Sequence, residues 1–228
     1  MGLRSLHFDY NGIGRSLKKT IKELKTNAAD WGSNDLESII EYVIKNYPKS
    51  TKLILGHSIG GQLIGLAKSA VKLDKVILVA AQSGYWKHWR GIGRIKMWLN
   101  WHILLPILLN TFGYLNSKKI NGMEDLPRNV ANQWLNWCKN KDYILSDKSI
   151  RRRYYDKIEA DLTAFTIEND DIAPLNAVRW LKSQYKSSKK KSIHLKPIDF
   201  NVKKIGHFGV FKESFRNNIW TQILNEIK

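Results

Sequence analysis

The residues best suited to chemistry in this chain are a serine framed by two glycines, Gly56-His57-Ser58-Ile59-Gly60. They follow Lys52-Leu53-Ile54-Leu55, a short apolar run that reads as a buried strand, and they open Gly60 to Ala67, which reads as a helix. A strand, Gly-x-Ser-x-Gly and a helix together form a turn that lifts a serine hydroxyl clear of a sheet. The turn is tight enough that side chains at Gly56 and Gly60 would collide with neighbouring backbone. The helix start behind it, at Ile59, aims a backbone N–H at the space where an oxyanion develops. The five-residue string alone is a weak signal; its place between strand and helix makes it a strong one.

A serine that transfers an acyl group needs a base, and the base needs an orienting acid. The alternating stretch Asp161 to Ile167 reads as a strand and ends in the polar turn Glu168-Asn169-Asp170-Asp171-Ile172-Ala173-Pro174. An acid there lies at the carboxyl end of a strand, on the same rim of a parallel sheet as Ser58. Lys191 to Lys196 reads as a last strand, followed by the loop Ile205-Gly206-His207-Phe208-Gly209. The chain order is therefore Ser58, then Asp170 or Asp171, then His207, with catalytic roles of nucleophile, acid and general base. Among the other histidines, His57 reads as packing under the serine turn. His7 and His194 lie on strand-like segments, and His88 and His102 fall in an aromatic middle segment where packing is the plainer reading.

These pieces resemble the α/β-hydrolase superfamily, in the branch near serine aminopeptidase and monoacylglycerol lipase-like domains. The resemblance rests on Phe8 to Ser16, Gly56 to Gly61, Asn169 to Pro174 and Ile205 to Gly209, with Trp86 to Trp89, Pro106, Gly113-Tyr114, Asp125-Leu126-Pro127 and Trp134 to Cys138 between them. It covers nearly the whole chain. It implies an ester, thioester or small-amide hydrolase that works through an acyl-enzyme on Ser58, takes a small acyl substrate and uses no cofactor and no metal. In similar hydrolases the acid commonly precedes a turn proline by four residues, which from Pro174 is Asp170; Asp171 is then a solvated loop charge or a turn former. That branch also begins with further strands, the third ending in a His-Gly loop that supplies a second oxyanion donor. Only eight residues precede Asp9 here. The expectation is thus an N-terminally truncated fold with a gap in its sheet, impaired unless another segment complements it.

The elements that must position these residues follow from periodicity. Ser5 to Asp9 reads as a strand. Leu36, Ile39, Ile40, Val43 and Tyr47 recur at helical spacing, with Asn34 and Glu37 as the cap and Pro48 beyond the end. Lys75 to Ala81 is a buried strand that closes a right-handed βαβ unit with the strand before Ser58. Gln82 to Asp147 then turns helical and aromatic, with four of the nine tryptophans between Trp86 and Trp101. It reads as a cap inserted between two strands. The sheet resumes near Ile158, and Lys212 to Ile227 forms a final helix with Phe215, Ile219, Ile223 and Ile227 on its inner face. The fold class is α/β: a mostly parallel sheet with flanking helices and a helical cap. Its parts are a first core segment at 1–83, the cap at 84–150 and a second core segment at 151–228.

Composition bounds the remaining classes. A length of 228 residues suits one domain with a sizeable core. The single cysteine, Cys138, excludes an internal disulfide and gives no support to a cysteine-rich metal site. No signal-peptide pattern opens the chain, and its longest apolar stretch, Met97 to Leu109, is too short to span a bilayer. A cytoplasmic location is the default expectation. The formal net charge of +18 raises nucleic acid or an anionic membrane surface as partners. The densest runs, Arg151 to Arg153 and Lys189 to Lys191, read as solvated loops, and no nucleic-acid motif accompanies them. Nucleic acid is therefore not expected as the main partner, while peripheral contact with an anionic membrane stays open.

Overall fold

The computed structural model describes residues 2–118 and 123–227. Regular structure begins with a short helix, α1 (Ala28–Asp30), which runs through π-helical turns at Trp31–Leu36 into α2 (Glu37–Asn46). The helix therefore starts earlier than its periodicity suggests. Its capping box joins Asn27 and Asp30, not Asn34 and Glu37. Glu37 instead accepts from the Ser69 amide at 2.7 Å and the Ser69 hydroxyl at 2.8 Å. A carboxylate more than two turns inside a helix is free to serve a neighbouring turn once another residue caps the start.

The strands β1 (Leu53–His57), β2 (Lys75–Val79), β3 (Asp161–Ile167) and β4 (Lys190–Leu195) form a four-stranded parallel sheet in chain order. Val76, Ile77, Leu78 and Val79 are all buried, as an inner parallel strand with helices on both faces requires. The register sets His57 opposite Val79, Val79 opposite Phe165, and Ile167 opposite Leu195. The carboxyl ends of all four strands thus share one rim. β2 stops at Val79, two residues before its apolar run ends, because Ala80 turns to a left-handed φ of 46°.

The serine turn leads into α3 (Ile59–Leu63), which tightens to a 3-10 turn at Ile64–Leu66 and is shorter than the run to Ala67 suggests. Between β2 and β3 the chain is helical: α4 (Gly91–Leu99), π-helical turns at Asn100–Leu104, α5 (Leu105–Phe112) and α6 (Arg128–Lys139). Trp137, Cys138, Tyr143 and Ile144 from this region join the same buried cluster as Leu63, Ile64 and Leu78 beside the sheet. α7 (Leu175–Gln184) follows β3. The expected final helix is broken: a 3-10 turn at Glu213–Phe215 and π-helical turns at Arg216–Trp220 precede α8 (Thr221–Ile227). Its inner face nonetheless buries Phe215, Ile219 and Ile223, all packed in a second cluster with Phe165 and Leu195.

One expected strand does not form. Ser5 to Asp9 carries no regular structure, and Leu3 and Leu6 are 61% and 50% exposed. A strand is stable only through its ladder with a neighbour. Among the described residues β1 pairs with β2 alone, so its other edge is open.

Candidate active site

Ser58 stands between β1 and α3 with φ 49° and ψ −123°. That is a strained conformation for a residue with a side chain, and surrounding structure must hold it. The Ser58 amide donates to the Val79 carbonyl at 3.1 Å, and the Ser58 carbonyl accepts from the Gly61 amide at 3.1 Å. Glycine is compulsory around it. A Cβ at Gly56 would lie 2.5 Å from the Gly61 Cα, and one at Gly61 would lie 2.5 Å from the Ala81 Cβ. The Ile59 amide sits in the first turn of α3, where backbone donors lack an intrahelical acceptor. The Tyr10 hydroxyl overhangs this turn, 3.8 Å from where a Cβ on Gly60 would stand. Burial raises its pKa well above the ordinary value, with the charge of Asp35 adding to the effect, so the phenol stays neutral.

The turn after β3 delivers Asp170. Asn169 takes a left-handed φ of 57°, which aims the next residue back across the rim. Asp170 is buried, and its Oδ1 accepts from the amides of Ile172 at 2.8 Å and Ala173 at 2.9 Å. Its Oδ2 meets His207 Nδ1 at 2.8 Å. Burial pushes the Asp170 carboxyl upward, but the His207 hydrogen bond and charge, with the Ala173 and Ile172 amides, outweigh it. The carboxyl is held below its ordinary value. An ionised Asp170 requires the proton on His207 Nδ1, which leaves the Nε2 lone pair free to accept. Asp171, one residue on, is exposed and pairs with Lys204 at 3.1 Å.

His207 Nε2 is buried and has no hydrogen-bond partner. No hydrogen bond therefore joins it to Ser58. The two sides of the site meet through the residue before the serine. His57 Nε2 lies 3.0 Å from the His207 carbonyl, to which it donates, and the two rings are 4.7 Å apart. Phe208 and Phe211 enclose the other sides of the His57 ring at 5.5 Å and 5.0 Å. Burial, with the nearby charge of His207, lowers the His57 pKa to about 4. The ring is therefore neutral at pH 7 and works as a brace for the His207 loop.

Two further contacts on the acid loop have no signal in the sequence. Trp89 Nε1 donates to the Asp171 carbonyl at 2.8 Å, and Gln82 Nε2 donates to the Ile172 carbonyl at 3.4 Å. Both come from the segment after β2 and hold the turn that carries Asp170. The tryptophans of that segment suggest packing; their distant backbone partners are invisible in one dimension. His194 lies away from the rim's acid loop, against the Thr166 hydroxyl at 2.8 Å. His88 packs against Tyr85 and Trp180, and His102 stacks on Trp98. Among the described residues no group of three or more His, Cys, Asp or Glu side chains is arranged to hold a metal. Cavities of about 270 and 250 Å³ lie elsewhere, one beside Asn129, Gln133 and Asp147 and one beside Thr166, Arg179 and His194. Neither includes Ser58.

No protein-family model matches the sequence, and no curated protein matches it. Solved structures do. Alpha/beta hydrolase domain-containing protein 10 from mouse superposes with a TM-score of 0.54 at 14% identity, covering 96% of this chain and 77% of that one. Est816, described as an N-acyl homoserine lactone degrading enzyme, gives 0.52 at 13% identity over 96% and 81%. The RedJ thioesterase of the prodiginine pathway in Streptomyces coelicolor gives 0.50 at 14% identity over 94% and 72%. The chain has the α/β-hydrolase fold.

Proposed function

We propose that this protein is a serine hydrolase that cleaves esters, thioesters or small amides through an acyl-enzyme on Ser58. The observation that carries the reading is the buried Asp170–His207 pair at 2.8 Å, held by His57 against the turn that strains Ser58. In the reaction, His207 Nε2 takes the Ser58 proton as Oγ attacks the substrate carbonyl. Asp170 holds the imidazole in the tautomer that allows this and stabilises the imidazolium that forms. The Ile59 amide donates to the oxyanion. Collapse of the tetrahedral species expels the alcohol, thiol or amine with the proton from His207, and water, activated by the same nitrogen, releases the acid. The missing Ser58–His207 hydrogen bond is compatible with this, since catalytic hydrogen bonds often tighten only around substrate. No cofactor enters these steps.

The experiment is labelling with a fluorophosphonate alongside turnover of p-nitrophenyl acetate and an acyl thioester. Ser58 should be the one labelled residue, and Ser58→Ala should abolish labelling and turnover together. Labelling that persists in Ser58→Ala would remove the assignment.

A second reading follows from the open edge of β1. There the enzyme is competent only when another segment, in cis or in trans, supplies a neighbouring strand and a second oxyanion donor. Leu55, 38% exposed on that edge strand, favours it, because inner parallel strands are covered on both faces. Removing one oxyanion donor costs about 10²–10³ in rate. Full turnover by the 228-residue chain alone would refute this second reading and leave the first intact.

A further inference from the structure

We infer that the helix running from Gly91 to Phe112 is a docking surface for an anionic lipid bilayer. This rests on the outer face of the segment after β2 and is independent of the chemistry at Ser58.

The helix is apolar on both sides. Its inner side carries Met97, Trp101, Leu105, Leu108 and Leu109 against the core. Its outer side carries Ile92, Ile95, Leu99, Ile103 and Ile107, which are 84%, 61%, 44%, 44% and 57% exposed. These recur at spacings of three and four, so they lie along one face. A helix on a protein surface ordinarily turns charged residues outward. Five large aliphatic side chains in one exposed row form a patch that marks a site of contact with another phase or molecule.

Charge selects the occupant. Lys87, Arg90, Arg94 and Lys96 are exposed at the amino-terminal end of the row. Lys96 lies four residues after Ile92 and three before Leu99, within the apolar face itself. No aspartate or glutamate occurs anywhere from Lys75 to Met123. A second copy seated on this face would bring no acidic side chain of this segment to the cationic cluster, only the repulsion of a chain of formal net charge +18. An anionic bilayer removes that repulsion and accepts the aliphatic row between its headgroups. Basic residues beside Ile, Leu and Trp on an exposed helix face are the pattern of helices that lie in the interface plane. Trp98, 39% exposed, flanks the row with an amphipathic ring suited to the headgroup layer. Among the described residues no helix is long and apolar enough to cross a membrane. The contact is therefore one of lying on the bilayer, not of spanning it.

The test is co-flotation of the full chain with phosphatidylcholine vesicles, with and without about 30 mol% phosphatidylglycerol. The chain should float with the anionic vesicles, bind pure phosphatidylcholine at least tenfold more weakly, and lose binding when salt is raised from about 0.1 to about 0.5 M. Ile92→Gln with Ile95→Gln changes no charge and should lower bound protein about tenfold or more. Arg94→Gln with Lys96→Gln should do the same. Lys45→Gln with Lys49→Gln removes equal charge on and just beyond α2 and should change binding by less than about twofold. All these side chains are exposed, so thermal unfolding should stay within a few degrees of the parent chain and shows whether each variant is folded. Four results would overturn the inference: no flotation, binding unaffected by the isoleucine variant, equal loss from the Lys45 and Lys49 variant, or a lipid-free dimer that the isoleucine variant dissociates. The last would assign the face to a second copy.

Discussion

The two flanks of the serine turn are built to different standards. On one side, β3 and β4 carry the acid and histidine loops over a sealed cluster of Phe165, Ile167, Leu195, Ile205 and Val210. Each polar atom of Asp170 is occupied, and the loop is tied by Trp89 and Gln82. On the other side, the residues before Asn11 hold no ladder, Leu3 and Leu6 face solvent, and β1 shows an open edge. The turn between them stays strained because β2 grips it from one side through Val79. One well-packed flank thus suffices to hold the strained backbone of Ser58, whereas the other leaves the far edge of β1 uncovered.

The contrast breaks most sharply at the acid pair. Asp170→Asn should lower ester turnover by about 10⁴, while Asp171→Asn, exposed and paired only with Lys204, should cost less than about threefold. Steady-state kinetics on the two variants decides it, and the reverse ranking would transfer the acid role to Asp171.

The stability of the flanks should differ nearly as much. Phe165→Ala should destabilise by about 3–5 kcal/mol, and Leu6→Ala by no more than about 0.5 kcal/mol. Urea unfolding measures both, and equal losses would mean that the N-terminal flank is as firmly packed as the other. Gly56→Ala tests the grip on the turn. Its Cβ would meet the Gly61 backbone, which cannot swing aside, so a loss of about 1–3 kcal/mol is expected in the same assay.

The smallest effect is a pH dependence where the flanks meet. The folded His57 titrates at about 4, below its ordinary 6.5. The unfolded chain therefore takes up the proton first as pH falls. Stability from this site is whole above 6.5 and is lost on the way down to 4, by at most about 1.4 kcal/mol per pH unit. His88, also lowered to about 4 by burial, acts in the same window. The lowered Asp170 acts in a more acid window, below the ordinary carboxylate range. Unfolding midpoints at pH 7 and 5 should converge in His57→Gln relative to the parent chain. An unchanged gap between the two pH values would mean that the ring is exposed enough to charge in place.

Much of this was legible in the residues. The apolar runs of β1, β2 and β3 and the Gly-Pro punctuation between elements encode local structure, because strand propensity and turn geometry depend on nearest neighbours in sequence. Gly56 announces a turn with no room for a side chain before any coordinate is known; the second close approach, expected at Gly60, falls at Gly61, since a Cβ on Gly60 would meet only the Tyr10 hydroxyl at 3.8 Å. The order Ser58, Asp170, His207 places three chemical groups at three loops, and the parallel sheet puts those loops on one rim.

Other features required the folded chain. Ser5 to Asp9 alternates like a strand, yet among the described residues it joins no ladder, because pairing is a property of two segments and no described strand lies alongside it. The spacing to Pro174 already pointed to Asp170 over Asp171; how its carboxylate reaches the histidine, through the left-handed turn at Asn169 and the converging amides of Ile172 and Ala173, only the folded chain decided. His57 looked like filler and is a brace. Gln82 to Asp147 read as a cap, but which of its apolar side chains are covered was not legible; Ile92, Ile95, Leu99, Ile103 and Ile107 stay exposed while Met97, Trp101 and Leu109 pack inward. Sequence determines which residues can be apolar, strained or charged; which of those faces finds a partner is decided only when segments far apart in the chain compete for the same space.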